Sequence, residues 1–503
     1  MSARRSRFVG NTAALAVSTV LATVLTLVQM RILARSLAMD EFGLFASLRG
    51  LSLLISMLAA NGFPQLLTRF LPEHAARSQR AAAGRLMAAT LLATGVSCAL
   101  LLLLVFALKD RAFAQVPASE TSASLFVWFA LTTVAVALKL VLYGGFNGLR
   151  RFGSQSLFET GALVLQVAWM VLEADRLTVV RLFEIVGVTS ALTALAAMPW
   201  FASRLGADVP SGSHHARAAT PYRSYWWGAA GLSVVALAFS DADRWVLSTV
   251  LALESLSLFH VASRIARLAN RFIAVPVLAF QPEVTRVASE GRAEVVALST
   301  RAFFKASVLA SVFAAAGIIV YADDLIRLAS NETFLGARTT LWLMAASIPL
   351  SAMTAPMTGV MKALDGVRRA LACDLAWACV YIILLVMLAA AFGVVGAGIA
   401  QLSACTVQLI LAMRLSPVRP RAAEALAALA KSLASAALAF APALVLRGAG
   451  APRYAVWAMA LVAAFVYVRL SRRARTLATD ERARLVQSLS GHGLGRGLAW
   501  WMP

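Results

Sequence analysis

The sequence has few charged residues, and this scarcity excludes most classes of soluble protein. Only 14% of its 503 residues are Asp, Glu, Lys or Arg, whereas 60% are apolar. Soluble domains carry about 25% charged residues, so this chain could not cover a water-facing surface of its own size. The apolar residues occur in runs of about 20, the length at which a helix crosses a hydrocarbon core. The sequence therefore predicts a membrane protein and excludes a soluble enzyme.

Cysteine and histidine are also scarce, with four and five residues. The cysteines lie in apolar runs without ligand-like spacing to histidine, so they predict small buried side chains and neither disulfides nor a metal site. No G-x-S-x-G or H-E-x-x-H motif occurs, and no exposed loop carries paired carboxylates. We therefore predict no catalytic residue, no metal and no cofactor. The cysteines are Cys98, Cys373, Cys379 and Cys405.

Acidic residues are half as frequent as basic ones, 24 against 46, which gives a net charge of +22. In a soluble protein this excess would suggest nucleic acid as a partner. Here the basic residues lie mainly in short loops between apolar runs, where they fix topology and meet anionic lipid headgroups. We therefore predict membrane lipids as partners and no nucleic acid.

The apolar runs predict an all-α, polytopic integral membrane protein of about fourteen transmembrane helices. With the N terminus inside, about thirty Lys and Arg fall in cytoplasmic segments and about ten outside, as the positive-inside rule requires. Both termini are therefore predicted to be cytoplasmic. The protein itself is predicted to lie in the inner membrane of a bacterium. The spans are predicted near 12–33, 43–67, 86–108, 122–148, 155–174, 177–200, 225–249, 255–280, 300–321, 338–361, 371–391, 394–414, 426–446 and 452–470.

The two halves of the chain share short patterns at an offset of about 210–214 residues. Leu44-Phe45 matches Leu258-Phe259, and Pro72-Glu73 matches Pro282-Glu283. An even number of spans separates the matches, so the halves would have the same orientation about an axis along the membrane normal. We predict six-helix bundles at 1–205 and 206–420, two additional helices at 421–470, and a cytoplasmic basic tail at 471–503.

The predicted eighth span carries a ladder of basic residues. His260, Arg264, Arg267 and Arg271 are spaced by four, three and four residues, so a helix places them within about 60° of arc. Each central arginine costs about 2.5–3.5 kcal/mol to insert if it faces lipid. Arg264 and Arg267 are therefore predicted to face a wet interior or an anion. For Arg271, snorkelling to the cytoplasmic headgroups is an equal alternative.

Basic residues also occur inside predicted spans of the first half. Arg49 lies within one residue of the repeat equivalent of Arg264. Lys139, deep in the fourth span, adds to this positive charge or forms a structural salt bridge, for example to Glu159. Guanidinium groups match phosphate oxygens with two donors at once. Positive charge projecting from both halves therefore predicts a membrane-borne substrate that carries phosphate.

Acidic residues enter one span near its predicted outer end, at Asp241 and Asp243, next to Arg244. One interpretation is an Asp–Arg pair that fixes the end of the helix. The other is a proton or sodium site, an ion-coupling or gate position, because acidic residues inside membranes mark ion pathways. The sequence leaves both open.

Short motifs occur in the segments 31–35, 41–45, 61–64, 68–73, 240–244 and 256–260. Together they resemble the Wzx-type oligosaccharide flippases of the multidrug/oligosaccharidyl-lipid/polysaccharide (MOP) exporter superfamily, over most of the chain. One departure is Ser257, where the family usually has glycine. The resemblance implies two six-helix bundles plus two helices, a cationic central cavity, and Arg49, Arg264 and Arg267 holding a pyrophosphate.

The resulting hypothesis is a transporter, not an enzyme. It would move an undecaprenyl-pyrophosphate-linked oligosaccharide from the cytoplasmic to the periplasmic leaflet by alternating access, for surface polysaccharide synthesis. A proton or sodium ion, a polysaccharide polymerase and chain-length proteins are the other expected partners. The alternatives are a flippase of the peptidoglycan lipid precursor, a multidrug exporter, and a membrane glycan polymerase or ligase.

Overall fold

A computed structural model describes most of the chain, and every regular element in the described part is a helix. The described residues are 2–76, 79–113, 116, 123–149, 151–204, 222, 226–227, 229–231, 243–289, 293–364, 367–418, 422–474 and 476–477. The helices are α1 (Ser2–Ser36), α2 (Met39–Ala60), α3 (Phe63–Ala76), α4 (Arg80–Ala107), α5 (Lys109–Ala112), α6 (Ala123–Gly148), α7 (Phe152–Leu172), α8 (Val179–Arg204), α9 (Asp243–Ser248), α10 (Leu253–Ser289), α11 (Ala293–Val320), α12 (Ala322–Ala329), α13 (Arg338–Ala363), α14 (Val367–Leu415), α15 (Ala422–Gly448) and α16 (Arg453–Arg473).

Eleven helices in the described part are long and apolar enough to cross a membrane. They contain twelve of the predicted spans, because the predicted spans 371–391 and 394–414 both lie on α14. That helix bends at Gly393, whose φ of 60° and ψ of −141° are not helical. The multi-pass all-α architecture is therefore confirmed.

The two remaining predicted spans differ from the others. Most of 225–249 lies outside the described residues, whereas 255–280 lies on α10, a continuous helix of 37 residues. Helix α10 is not among the eleven apolar helices. Its charged residues lower its hydropathy, as expected for a helix that carries the ladder. The count of fourteen and the cytoplasmic position of both termini stay predictions.

The predicted second span, 43–67, ends earlier than its apolar composition suggests. Helix α2 ends at Ala60, because Asn61 (φ 34°) and Gly62 (φ 79°) adopt left-handed conformations. Asparagine and glycine are the residues that accept this geometry at a helix C terminus. The amphipathic α3 then begins at Phe63 and forms a separate element.

The chain divides into two compact units, Ala14–His260 and Val261–Pro503 together with Met1–Ala13. The predicted domain limits at 205 and 420 stay predictions. In the first unit α2, α6 and α8 pack together around buried Phe45, Phe129 and Phe183. Small hydroxyl side chains pair across these helices, a common means of association where lipid provides no hydrophobic force.

In the second unit the two additional helices, α15 and α16, pack on α11. The hydroxyl of Tyr467 donates a hydrogen bond to the carbonyl of Leu309 at 2.9 Å, and the hydroxyl of Tyr321 donates to that of Val456 at 2.9 Å. Arg447 forms an ion pair with Asp324 beside Tyr321. Polar contacts at several points along their lengths thus fix both additional helices to the rest of the second unit.

Candidate functional site

Two of the predicted basic residues lie in the first unit. Arg49 is half-buried on α2, with its guanidinium carbon 5.8 Å from the centre of the Phe45 ring. Lys139 is half-buried on α6, the helix against which α2 packs. Arg49 and Glu159 are the charged groups whose fields act on the Lys139 ammonium, although no ion pair joins Lys139 to Glu159 among the described residues. The structure thus brings Arg49 and Lys139 together.

Two like charges that are partly buried repel each other more strongly than in water, because the surroundings screen them less. Glu159, whose field opposes this repulsion, is exposed on α7. Arg49 also interacts with other groups of the protein.

The ladder residues lie on α10, as their spacing predicts. The helix is continuous through positions 260, 264, 267 and 271, so the three spacings place them along one face. His260 is 5% exposed, and Arg264 and Arg267 are half-buried. All three already interact with other groups of the protein. Only the backbone of Arg271 is described, so the prediction for its side chain is untested.

His260 contacts the N-terminal turn of α2. Its ring lies 5.1 Å from the Phe42 ring in an edge-to-face arrangement, and Phe42 is fully buried. The N-terminal position of the ladder is thus covered by an aromatic side chain of α2. Sequence reasoning did not identify Phe42, although its place in the Glu41–Phe45 motif could have indicated it.

Asp243 and Arg244 begin α9 and are among the most deeply buried charged residues, at 4% and 0% exposure. Adjacent positions on a helix point about 100° apart, so each side chain needs a partner of its own. Both residues do interact with other groups. Asp241 lies outside the described residues. The choice between a structural pair and an ion site therefore stays open.

Comparison with protein families gives one match: the model of the polysaccharide biosynthesis protein family matches residues 8–287, more than half of the chain. The chain belongs to this family. The match covers α1 to α10, including Arg49, Lys139 and the ladder. A search of curated protein sequences gave no match.

Solved structures with the same fold are transporters and flippases. "Lipid II flippase MurJ, inward closed conformation" matches with a TM-score of 0.66 and 12% identity, over 92% of this chain and 98% of that one. An inward-facing multidrug resistance MATE family transporter of the MOP superfamily matches with a TM-score of 0.56 and 13% identity, over 80% and 98%. A MOP superfamily transporter from Pyrococcus furiosus gives 0.56 and 13%, over 82% and 96%. At these identities the likeness establishes the fold of this family member.

Both ends of α2 contact segments from the predicted second half of this family member. At one end a Cβ on Gly43 would lie 1.9 Å from the carbonyl oxygen of Leu253. At the other end a Cβ on Gly62 would lie 2.7 Å from the backbone nitrogen of Ala230. Backbone therefore packs directly on backbone at both ends. Sequence reasoning missed these contacts, for which the glycines are the only local signal.

A charged cluster lies between α7 and α8, on the predicted outer side. Arg181 forms ion pairs with Glu173 and Glu184, and the indole nitrogen of Trp169 donates to Glu173 at 2.8 Å. These hydrogen bonds, chiefly that from Arg181, lower the pKa of Glu173 to about 2. The cluster borders an open cavity of about 560 Å³. Its charges satisfy one another, so we assign it to fixing the α7–α8 turn.

Proposed function

We propose that this protein is a flippase that moves an undecaprenyl-pyrophosphate-linked oligosaccharide from the cytoplasmic to the periplasmic leaflet of a bacterial inner membrane. The coarser conclusion, a multi-pass membrane protein of a polysaccharide biosynthesis family with a transporter fold, is established above. The observation that carries the proposal is the set of half-buried basic side chains on α2, α6 and α10, within predicted spans. Alternating access between leaflets is the proposed mechanism.

The chemistry of these residues supports a pyrophosphate headgroup. A guanidinium fork donates two parallel hydrogen bonds to a phosphate, and such charge-assisted bonds are about twice as strong as neutral ones. The charges of Arg49 and Lys139 repel each other, and an anion bound beside them would stabilise both charged groups. In this proposal Arg49, Arg264 and Arg267 hold the pyrophosphate, while Lys139, His260 and Arg271 contribute to the same cationic path. The sugar would pass through the wet interior as the lipid tail stays in the bilayer.

The decisive experiment removes the guanidinium groups of the ladder. R264A/R267A should abolish surface glycan in a strain that depends on this protein, with membrane insertion unchanged by immunoblot. R264K/R267K should restore part of the activity, because it keeps the charge and loses the double donor. Normal export by a well-expressed R264A/R267A protein would refute the assignment.

A matched control removes two arginines elsewhere. Arg338 and Arg453 lie at the predicted outer ends of α13 and α16, with side chains 44% and 66% exposed. Exposed ion pairs contribute about 0–1 kcal/mol, so R338A/R453A should leave both folding and export intact. R338A/R453A loses two positive charges, as R264A/R267A does. The comparison therefore shows whether export depends on these particular arginines or only on the net charge of the protein.

The peptidoglycan lipid precursor is the second candidate substrate, favoured by the likeness to the lipid II flippase over 92% of this chain. It carries a pyrophosphate as well, so the arginines do not distinguish the two. Complementation of a strain depleted of its own lipid II flippase does: growth would favour this substrate, and restored surface glycan alone would favour the first.

The remaining partners are part of the same proposal. Asp243 and Arg244 would form either a structural lock or a proton or sodium site that couples transport to an ion gradient. A polysaccharide polymerase and chain-length proteins would act on the flipped product. A multidrug exporter fits less well, because basic residues at membrane depth would repel cationic drugs.

A further inference from the structure

We infer that a polar surface between α6 and α7 is a subsite for the sugar part of the substrate, with Glu159 accepting hydrogen bonds from sugar hydroxyls. The inference rests on the proposed function and adds to it the residues that contact the glycan. The subsite lies within one compact unit, Ala14–His260. We call its polar side chains the α6–α7 stripe; they are Lys139, Tyr143 and Asn147 on α6, and Gln155 and Glu159 on α7.

The stripe follows from the spacing of polar residues on two consecutive helices. Lys139, Tyr143 and Asn147 are spaced by four residues, so they lie within about 80° of arc and extend about 12 Å along α6. Gln155 and Glu159 have the same spacing on α7. A connection of only three residues joins the two helices, as in an antiparallel helix pair. Positions equally far from this connection lie at similar depth, so Tyr143 is level with Glu159. For the same reason Asn147 is level with Gln155.

Glu159 lies on the side of α7 that packs inside the first unit. Gln166 and Met170, seven and eleven residues further on, share this side of the helix and are 4% and 0% exposed. The opposite side carries exposed aliphatic residues and is the side suited to lipid. Glu159 itself is exposed, so the packing of the unit is open at its position. The exposed aliphatic residues on the opposite side include Leu157, Val164 and Leu165.

Polar groups around this opening have unused hydrogen-bonding capacity. The Tyr143 hydroxyl and the amide oxygen of Gln166 are buried and have no hydrogen-bond partner within the described part of the chain. The charge of Glu159 acts on Lys139 and on Tyr143, yet no ion pair joins its carboxylate to Lys139 among the described residues. Buried polar groups in proteins are nearly always paired, with protein, water or a ligand. The carboxylate is therefore available to a ligand, and a small rotation of the Tyr143 ring would bring its hydroxyl to the same ligand.

The composition of the stripe suits a sugar better than a phosphate. An ionised carboxylate only accepts hydrogen bonds, so Glu159 would repel a phosphate and attract the hydroxyl groups of a sugar. The amides of Asn147 and Gln155 each offer a donor and an acceptor in one plane, which suits neighbouring hydroxyls on a ring. The charge of Arg49 also acts on Lys139. A pyrophosphate held by Arg49 would therefore keep its glycan near Glu159.

The first experiment compares two lipids by native mass spectrometry of the purified protein. One is undecaprenyl pyrophosphate, and the other is the lipid-linked glycan extracted from cells that lack this protein. E159Q should weaken binding of the glycan-bearing lipid about 10-fold, because it removes a charged acceptor, and Y143F about 3-fold, because it removes a neutral partner. Neither should weaken binding of undecaprenyl pyrophosphate, whereas R49A should weaken binding of both lipids.

Matched controls remove the same chemical groups elsewhere. E294Q, at an exposed glutamate of α11, and Y454F, at a tyrosine of α16 that is 78% exposed, should leave binding of both lipids unchanged. Equal binding of the two lipids by the wild-type protein would overturn the subsite alone. So would loss of export in E159Q with binding of both lipids unchanged, which would assign Glu159 to ion coupling. If the wild-type protein bound neither lipid, the proposed function would fail and the subsite with it.

The second experiment tests the opening without any substrate, in nanodiscs that hold a protein whose native cysteines are replaced by serine. E159C should react with a charged, water-soluble thiosulfonate about 10-fold faster than V164C, because a thiol in lipid does not form the reactive thiolate. The lipid-linked glycan should then protect E159C more than undecaprenyl pyrophosphate does. Equal reaction rates of E159C and V164C would show that position 159 does not face water and would overturn the inference. The replaced residues are Cys98, Cys373, Cys379 and Cys405.

Discussion

At the scale of the residue, membrane depth decides what a charge can do. On α10, Arg264 and Arg267 interact with other groups and lie half-buried, and exposing either guanidinium to lipid would be costly. The sequence could predict from spacing alone that they share one face of the helix, because helical periodicity is local. It could not predict that Phe42 covers His260, since that contact joins residues more than 200 positions apart.

Glu173 provides a residue-scale test of the α7–α8 turn, because it follows Leu172, where α7 and its membrane span end in the structure. Its pKa falls from 4.5 to about 2, first through the hydrogen bond from Arg181 and then through that from Trp169. A lowered pKa in the folded state contributes stability that is present above pH 4.5 and is lost as the pH falls towards 2.

We therefore expect purified wild-type protein in detergent to unfold at a higher temperature than E173Q at pH 6. The difference should shrink as the pH is lowered from 4.5 to 3, because wild-type Glu173 starts to take up a proton in the unfolded state. Thermal unfolding followed by tryptophan fluorescence measures it. A difference that stays constant over this range would contradict the assigned pKa.

At the scale of the element, the ends of helices proved harder to predict than their existence. Runs of about 20 apolar residues place most spans within a few residues, because length and hydropathy are set by the bilayer. The apolar run of the second span continues past Asn61, yet α2 stops at Ala60. Backbone conformation ends it there, and hydropathy carries no information about φ.

Gly393 provides an element-scale prediction. It connects the two halves of α14 at φ 60° and ψ −141°, a conformation that residues with a Cβ rarely adopt, and no atom lies within 4 Å of an added Cβ. G393A should therefore destabilise the protein by about 1–3 kcal/mol through backbone strain alone.

The control for this prediction is G95A, in the middle of α4, where an added Cβ also meets no atom within 4 Å. Alanine is favoured over glycine inside a helix by about 1 kcal/mol, so this variant should be neutral or more stable. Unfolding temperatures of the two variants in the same detergent give the comparison. Equal effects of the two substitutions would contradict the assignment of the G393A effect to φ.

At the scale of the whole molecule, the net charge carried by the substrate decides how the membrane potential acts on transport. A pyrophosphate headgroup that leaves the cytoplasm moves negative charge outward. An inside-negative potential favours this movement by about 2.3 kcal/mol per charge for each 100 mV. If no cation is carried in the same direction, the potential alone should drive accumulation in the outer leaflet.

We expect proteoliposomes that hold the protein in its cellular orientation to flip a fluorescent undecaprenyl-pyrophosphate sugar further when a potassium gradient with valinomycin makes the lumen negative. The outer-to-inner ratio should rise about 50-fold per net charge at 100 mV, which follows from 1.36 kcal/mol for each factor of ten. The R264A/R267A protein should show no potential-dependent flipping. If the outer-to-inner ratio did not change with the potential, cations would have to neutralise the moving headgroup. The buried carboxylate of Asp243 would then be the first residue to test as the cation site.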